Sequence, residues 1–169
     1  MPESAPLILT LALDPASQAV LDALSQAHFP PARNHLAAHV TLFHALPGER
    51  QDDVAADLAD VADHPRFTVT VTGLRSLGRG VAHELSSPTL LALRAELARR
   101  WAADLTRQDA AGFRPHVTVQ NKVEPSEAKA LLARLREGFE PWSATDEGLA
   151  LWHDRGGPWD HARTFPFRP

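Results

Sequence analysis

The four-residue stretch HVTL at positions 39–42 returns as HVTV at positions 116–119, in the other half of a 169-residue chain. In each copy apolar residues alternate with His and Thr, which is the period of a β-strand. Side chains two positions apart point to the same side of a strand, so each copy places an imidazole beside a hydroxyl on one wall. Two such strands facing each other would form a pocket that contains His39, Thr41, His116 and Thr118.

The segments around the two copies follow nearly the same order. Apolar periodicity, proline and glycine positions predict β-α-β-α-β-β in the first half and α-β-α-β-β-β in the second, ending with strands at 139–145, 149–153 and 164–167. Helices alternating with strands and hairpins indicate an α+β fold. We predict a single bilobal domain over residues 1–169, with lobe-like halves at about 1–86 and 87–169 that can exchange strands. The lobes would be related by a pseudo-twofold axis, with mainly antiparallel sheets flanked by helices and the active-site cleft between them.

The same alternation extends the predicted cleft beyond the repeated stretch. Phe43 should share the face of His39 and Thr41, while Gln120 and Lys122 should share the face of the second histidine. Phe43 could stack on a base or form the floor of the cleft. Lys122 could supply a positive charge or remain a solvated side chain at the end of a strand.

Two facing histidines suit phosphodiester chemistry, because imidazole titrates near neutrality, with an ordinary pKa of about 6.5. One neutral ring can accept the proton of an attacking water or hydroxyl, and the other, protonated, can donate a proton to the leaving oxygen. The hydroxyls of Thr41 and Thr118 can donate hydrogen bonds to the non-bridging phosphate oxygens. The repeated stretch therefore predicts phosphoryl transfer by general acid-base catalysis.

Paired histidines can also bind a metal. His35, His39 and His44 cluster in the sequence, but His44 has the opposite strand parity to His39 and no Asp or Glu lies among them. A zinc site usually takes further carboxylate, histidine or thiolate ligands at close spacing. We therefore expect neither a metal nor a cofactor. A serine-type triad is not supported, because the chain contains no G-x-S-x-G sequence.

Composition limits the class of partner. The net charge is −4, no long basic run occurs, and cysteine is absent, which excludes a disulfide scaffold and a thiol nucleophile. We expect a small nucleotide or one end of an RNA as the substrate, with no extended nucleic-acid surface. The apolar run at 7–13 is short and stops at Asp14-Pro15, so it predicts a first strand and no membrane span. We expect a cytoplasmic protein; nothing in the sequence indicates its oligomeric state.

The two H-x-T-x stretches, one per lobe of a predicted bilobal α+β protein, resemble those of the two-histidine (2H) phosphoesterase superfamily, especially its branch of 2'-5' RNA ligases and cyclic phosphodiesterases. The resemblance implies metal-independent action on 2',3'-cyclic phosphates or 2'-5' phosphodiester bonds. It implies catalytic roles for His39 and His116 and phosphate binding by Thr41 and Thr118. Many members carry an arginine soon after the second motif, where this chain has residues 120–122, Gln-Asn-Lys.

Three functions are therefore compatible with the sequence. The first is hydrolysis of a 2',3'-cyclic phosphate, or a related 2'-5' phosphodiester, at the end of an RNA or on a nucleotide. The second is 2'-5' RNA ligation, which would use the same site but requires a surface for two RNA ends. The third is a non-catalytic module that recognises a nucleotide or RNA end in the same pocket. Two complete motifs favour catalysis, because a binding module does not need two proton-transfer groups.

Overall fold

A computed structural model describes residues 4–31 and 36–169. Within these ranges, seven strands and five helices follow in the order β1 (Leu7–Leu13), α1 (Pro15–His28), β2 (Thr41–Leu46), α2 (Gln51–Val61), β3 (Phe67–Ser76), β4 (Val81–Ser86), α3 (Pro88–Arg100), α4 (Arg107–Ala110), β5 (His116–Gln120), α5 (Pro125–Glu137), β6 (Trp142–His153) and β7 (Asp160–Pro166). None of the described helices is long and apolar enough to cross a membrane.

The strands form one sheet in the order β2-β1-β6-β3-β4-β5, and β7 pairs with β6. Every pairing between these strands is antiparallel. This arrangement, with helices packed on the sheet, confirms the predicted α+β class. The long strand β6 comes from the second half of the chain but lies between β1 and β3, which come from the first half.

Helix starts follow the capping pattern written in the sequence. The carboxylate of Asp14 accepts a hydrogen bond from the backbone N–H of Ser17 at 3.1 Å, and the hydroxyl of Ser87 accepts one from Leu90 at 3.0 Å. A proline follows each cap, at the first helical position, where its missing N–H is not needed. Each cap is worth about 1 kcal/mol. These helix starts, at Pro15 and Pro88, fix where the chain leaves the sheet.

The two strands predicted at 139–145 and 149–153 are wrong, because the structure has the single strand β6 there. The sequence between them, Asp146-Glu147-Gly148, resembles a turn. In the structure the β1–β6 register shifts beside Asp146 and the strand continues. The side chain of Asp146 turns inward with no exposed surface, and its Oδ1 accepts a hydrogen bond from the N–H of Gly148 at 3.1 Å. Gly148 itself lies so close to β7 that an added Cβ would be 2.6 Å from the carbonyl oxygen of Phe165.

The curl of the sheet decides where the functional residues lie. Strands β2 and β5 are at opposite ends of the strand order, yet side chains from both line one small cavity. A sheet that brings its two edges together in this way forms a half-barrel. Its core is built from leucine and valine side chains of the strands, packed against helix residues such as Leu21, Leu58, Leu97 and Leu131.

Candidate active site

A cavity of about 160 Å³ lies where the two edges of the sheet meet. The structure brings all four residues of the repeated motif into this cavity, which we call the histidine pocket. Its lining residues are Ile8, His39, Thr41, His44, His116, Thr118 and Trp159.

The two motif histidines are held by the same local contact. The Nδ1 of His39 lies 2.8 Å from the carbonyl oxygen of Ala37, and the Nδ1 of His116 lies 2.9 Å from that of Arg114. A carbonyl oxygen can only accept, so each Nδ1 must carry the proton. In the neutral ring this leaves the lone pair on Nε2, and that nitrogen is available for proton transfer. Equivalent backbone contacts therefore set both rings in the same tautomer.

Helix α1 fixes the segment that leads to His39. The carboxylate of Asp22 accepts the N–H of Ala38 at 2.8 Å, and the side-chain amide of Gln18 donates to the carbonyl of the same residue at 2.6 Å. The carbonyl of Val40 then accepts from the N–H of Leu11 on β1 at 3.0 Å. Both sides of the first histidine are thus tied to regular elements, although His39 itself precedes β2.

The second histidine opens strand β5, where pairing with β4 holds it in place. His116 lies opposite Glu84, and Thr118 lies opposite Ala82. Just before the strand, the carbonyl of Pro115 accepts a hydrogen bond from β4 at 3.1 Å. Cross-strand neighbours share a face of the sheet, so Glu84 belongs to the same face as His116.

Both motif histidines have a pKa below the ordinary value of 6.5. Burial is the largest cause for each, because it disfavours the charged ring, and the carbonyl contact at Nδ1 only partly offsets it. The neighbouring rings of His116 and His44 lower the pKa of His39 further. The pKa of His116 is also lowered by the positive charges of Arg75 and Arg114 and by His44. Both shifts favour the neutral form of the ring at neutral pH.

The predicted place of Phe43 in the cleft is wrong. Leu9 pairs with Phe43 and Thr10 pairs with Thr41, so β2 has an extra residue there and the alternation of faces breaks. Phe43 is fully buried, and its ring packs against Trp101 with centroids 5.0 Å apart.

His44 takes the expected place of Phe43 in the lining of the histidine pocket. By strict alternation His44 would face away from His39, because the two residues have opposite strand parity. The bulge in β2 changes this, because a strand with one extra residue does not keep its alternation.

The two outer residues predicted for the second strand, Gln120 and Lys122, lie in different places. Gln120 is 4% exposed and does not line the histidine pocket, contrary to the prediction, because the β4–β5 register shifts between Val81 and Ala82. Lys122 lies beyond the end of β5, with a positive φ of 60°. It lines a neighbouring cavity of about 600 Å³ that also contacts His39 and Thr118.

Sequence reasoning missed a group of polar contacts along the free edge of β2. The buried carboxylate of Asp109 accepts the backbone N–H groups of His44 and Ala45 at 2.9–3.1 Å and the Nδ1 of His44 at 3.0 Å. Beside it, the Nε of Arg94 donates to the carbonyl of Leu42 at 3.1 Å. These side chains provide hydrogen-bond partners for backbone groups of β2 that a further strand would otherwise pair with. Asp109 lies in a polar stretch with no apolar period, so its burial left no signal in the sequence.

An aromatic wall beside His39 was also missed. The ring of Trp159 lies 4.7 Å from that of His39, centroid to centroid, and it lines the histidine pocket. Trp152 and His161 continue the wall, with ring centroids 5.1 Å apart. The sequence did contain one signal for this wall, which is a tryptophan immediately after the Gly-Gly-Pro turn at 156–158. A turn offers no core in which a tryptophan could be buried.

Within residues 4–31 and 36–169, no group of three or more His, Asp or Glu side chains is arranged to hold a metal ion. The sequence cluster considered for a metal included His35, and that residue lies outside the described part of the chain.

Several solved structures share this fold. Escherichia coli LigT, crystallised with NADP+, aligns with a TM-score of 0.65 at 21% identity over 99% of this chain and 100% of its own. It has also been crystallised with 3'-AMP. A protein of Thermus thermophilus aligns with a TM-score of 0.66 at 18% identity over 96% of this chain and 98% of its own. A structure described as a phosphoesterase gives 0.66 at 20% identity over 99% and 100%.

Sequence comparison supplies the family. No curated protein matches the chain at a significant level. The family model described as the 2'-5' RNA ligase superfamily matches residues 13–158, which include both histidine motifs and the segments between them. The chain therefore belongs to the 2'-5' RNA ligase superfamily of two-histidine phosphoesterases.

Proposed function

We propose that this protein is a metal-independent phosphodiesterase that hydrolyses 2',3'-cyclic phosphates at the ends of RNA or on nucleotides, or related 2'-5' phosphodiesters. The observation that carries the proposal is the matched pair of histidines, each with its Nδ1 fixed by a backbone carbonyl, in one pocket with two threonines. Acid-base catalysis by two imidazoles needs this arrangement, because one Nε2 must accept a proton while the other donates one.

The proposed reaction uses both histidines and both threonines. A water attacks the phosphorus while the neutral Nε2 of one histidine accepts its proton, and the protonated Nε2 of the other gives a proton to the departing ribose oxygen. One P–O bond forms and one breaks, and the cyclic phosphate becomes a 2'- or 3'-phosphate. Each proton transfer contributes roughly 10²–10⁴-fold to the rate. Thr41 and Thr118 donate hydrogen bonds to the non-bridging oxygens as negative charge builds there.

The surroundings of His39 support a nucleotide as the substrate. Cavities of about 600 Å³ and 550 Å³ adjoin this histidine, and the smaller one is bounded by Trp152, Trp159 and His161. Aromatic side chains stack on bases irrespective of their sequence, at about 1–3 kcal/mol per base. Crystallised E. coli LigT binds 3'-AMP, which is one of the two possible products of adenosine 2',3'-cyclic phosphate hydrolysis.

The test is incubation of chelator-treated protein with the four nucleoside 2',3'-cyclic monophosphates, with each product identified as a 2'- or 3'-phosphate. We expect turnover in EDTA, nearly abolished in His39→Ala and in His116→Ala. The double variant should lose little more than the worse single one, because residues that act as a unit are not additive. His64→Ala is the matched control, since its Nδ1 also contacts a carbonyl, that of Pro65 at 2.6 Å, but it lines none of the cavities around the site.

Other results would favour the alternatives. Activity that disappears with chelator and returns with a divalent ion would overturn the metal-independent mechanism. Tight binding of 3'-phosphates without turnover would favour a nucleotide-binding module. Joining of RNA ends by wild type but not by the histidine variants would favour a 2'-5' RNA ligase. Near-normal turnover in folded His116→Ala would remove the second motif from the chemistry altogether.

A further inference from the structure

A second cavity, of about 410 Å³, has His116 but not His39 in its lining. This cavity and the histidine pocket share Thr41, His44 and His116 in their linings, so they adjoin at these three residues. We call the second one the arginine cavity, because its lining contains Arg75, Arg94 and Arg114.

The charges around this cavity sum to one excess positive charge. The three guanidiniums face two carboxylates, Asp109 in the lining and Glu84 just behind it. Arg94 is 6% exposed and donates to the backbone carbonyls of Leu42 and Asp109, so it is committed to the protein. The charge of Arg94 is offset by the nearby carboxylate of Asp109, which opposes the lowering of the Arg94 pKa by burial. The excess charge therefore belongs to Arg75 and Arg114, in a protein whose net charge is −4.

Arg75 and Arg114 share a single carboxylate, that of Glu84. The Nη2 of Arg114 donates to it at 2.9 Å, and the Nη1 of Arg75 lies 3.6 Å away, beyond hydrogen-bond length. One carboxylate neutralises one guanidinium, and each guanidinium has five N–H donors. The trio therefore keeps both a charge and donors for an incoming anion.

The sheet places these donors close to the strand that carries the second motif. Arg75 on β3 lies opposite Ala82 on β4, and Ala82 lies opposite Thr118 on β5. The backbone of Arg75 is thus two strand spacings, about 10 Å, from that of the second threonine, on the same face of the sheet. An extended arginine covers much of that distance. The positive charges of Arg75 and Arg114 also lower the pKa of His116, which agrees with their proximity to that ring.

We propose that the arginine cavity is a subsite for a second phosphate group of the substrate, bound by the guanidiniums of Arg75 and Arg114. The inference rests on the proposed function. In a nucleotide that ends in a 2',3'-cyclic phosphate, the nearest other phosphate is the one on the 5' oxygen of the same nucleoside. The preferred substrate is then a 5'-phosphorylated nucleotide or the end of an oligonucleotide, in preference to a nucleoside 2',3'-cyclic monophosphate with a free 5'-hydroxyl. Planar guanidiniums suit this role, because they bind phosphate with two parallel hydrogen bonds.

The test compares kcat/KM for adenosine 2',3'-cyclic phosphate with a 5'-phosphate and with a 5'-hydroxyl. We expect kcat/KM of the wild type to be about tenfold or more higher for the 5'-phosphate, because one charge-assisted hydrogen bond contributes that much binding free energy. The ratio should fall towards one in Arg75→Gln and Arg114→Gln. These changes leave the backbone carbonyl of residue 114, which holds His116, in place. Arg99→Gln is the matched control. The side chain of Arg99 is 71% exposed and paired with Glu96, much as that of Arg114 is 74% exposed and paired with Glu84, but Arg99 lies outside the cavity.

Glu84→Gln tests the same subsite in the opposite direction. The variant lacks the negative charge that offsets Arg75 and Arg114, so the preference for the 5'-phosphate should increase. A ratio near one in active wild type, or the same ratio in wild type, Arg75→Gln and Arg114→Gln, would overturn the subsite while leaving the hydrolase intact.

Binding separates this inference from the proposed function. Calorimetry would compare adenosine 3',5'-bisphosphate with adenosine 3'-monophosphate in the same variants. Tighter binding of the bisphosphate, lost in Arg75→Gln and Arg114→Gln, supports the subsite even if neither cyclic nucleotide is hydrolysed, in which case only the hydrolase proposal fails. Equal affinity for the two ligands in the wild type counts against the subsite.

Discussion

The Nδ1 of His44 lies 3.0 Å from the Oδ1 of Asp109, and this contact joins the free edge of β2 to a residue 65 positions further along the chain. The same carboxylate accepts the backbone N–H groups of His44 and Ala45. Burial alone would raise the pKa of Asp109, but these hydrogen bonds outweigh burial and lower it. A carboxylate, ionised and 1% exposed, therefore replaces a strand at the sheet edge that carries Thr41.

Asp109→Asn should destabilise the fold by about 1–3 kcal/mol, because the amide has one acceptor oxygen where the carboxylate has two and leaves a donor of β2 unpaired. Since the folded-state pKa of Asp109 lies below its unfolded value of about 3.9, its contribution is present above that pH and is lost as pH falls through the folded pKa. Urea unfolding at pH 7 and pH 3 measures both effects. Asp63→Asn is the control, because its side chain is 77% exposed. Equal stability of the two variants at pH 7 would contradict the role of Asp109.

The threonines offer a prediction with a built-in control. Thr118→Val and Thr41→Val keep the shape of the side chain but remove the hydroxyl that we propose contacts the phosphate. Removing one such donor should lower kcat by about 10²–10³-fold, with a smaller effect on KM, because the contact strengthens as charge develops in the transition state. Thr118→Ser and Thr41→Ser retain the hydroxyl and should retain most of the activity. Valine variants as active as the serine variants would show that the hydroxyls do not stabilise the transition state.

The rate should have its optimum on the acid side of neutrality. The productive pair has one protonated and one neutral histidine, and this form is most populated between the two apparent pKa values of the pair. Burial lowers the pKa of both His39 and His116, so the profile of kcat/KM should be bell-shaped with its maximum below about pH 6.5.

With substrate bound, the anionic phosphate favours the charged ring, so the kcat profile should be displaced towards higher pH. Both profiles come from the same initial-rate measurements between about pH 4 and pH 9, a range that spans the ordinary titration of histidine. A kcat/KM that continues to rise in the alkaline range would exclude acid-base catalysis by this pair.

The sequence was sufficient for the parts of the site that repeat with a strand period. His39, Thr41, His116 and Thr118 were predicted from alternation, and the structure brings them into one pocket. Alternation failed where a strand has an extra residue, as at Phe43, because a bulge depends on how a partner strand pairs and leaves no local mark.

Contacts between distant segments of the chain could not be predicted from the sequence either. The burial of Asp109 and the packing of Trp159 on His39 arise only when the sheet curls and the loops close over its edges. Neither residue lies in an element whose periodicity predicts its partner.

Asp146→Asn should stabilise the protein at neutral and alkaline pH. Burial raises the pKa of Asp146 to about 8, and its Oδ2 has no hydrogen-bond partner within the described structure. Its unfolded pKa is about 3.9, so the folded state holds a proton that the unfolded state releases between these two values. Stability of the wild type should therefore fall as pH rises from about 4 to 8, by up to about 1.4 kcal/mol per unit, and become level above that.

Asparagine removes the ionisation while its carbonyl oxygen can still accept the N–H of Gly148. The difference in unfolding free energy between Asp146→Asn and wild type should therefore grow with pH, reaching several kcal/mol at about pH 8 if the full shift applies. Urea unfolding at about pH 5, 6.5 and 8 measures this slope. Asp160→Asn, with a 61% exposed side chain, should run parallel to wild type at all three values. If Asp146→Asn is also parallel to wild type, then Asp146 is ionised in the folded protein, and its unpartnered oxygen must bind water or a proton donor.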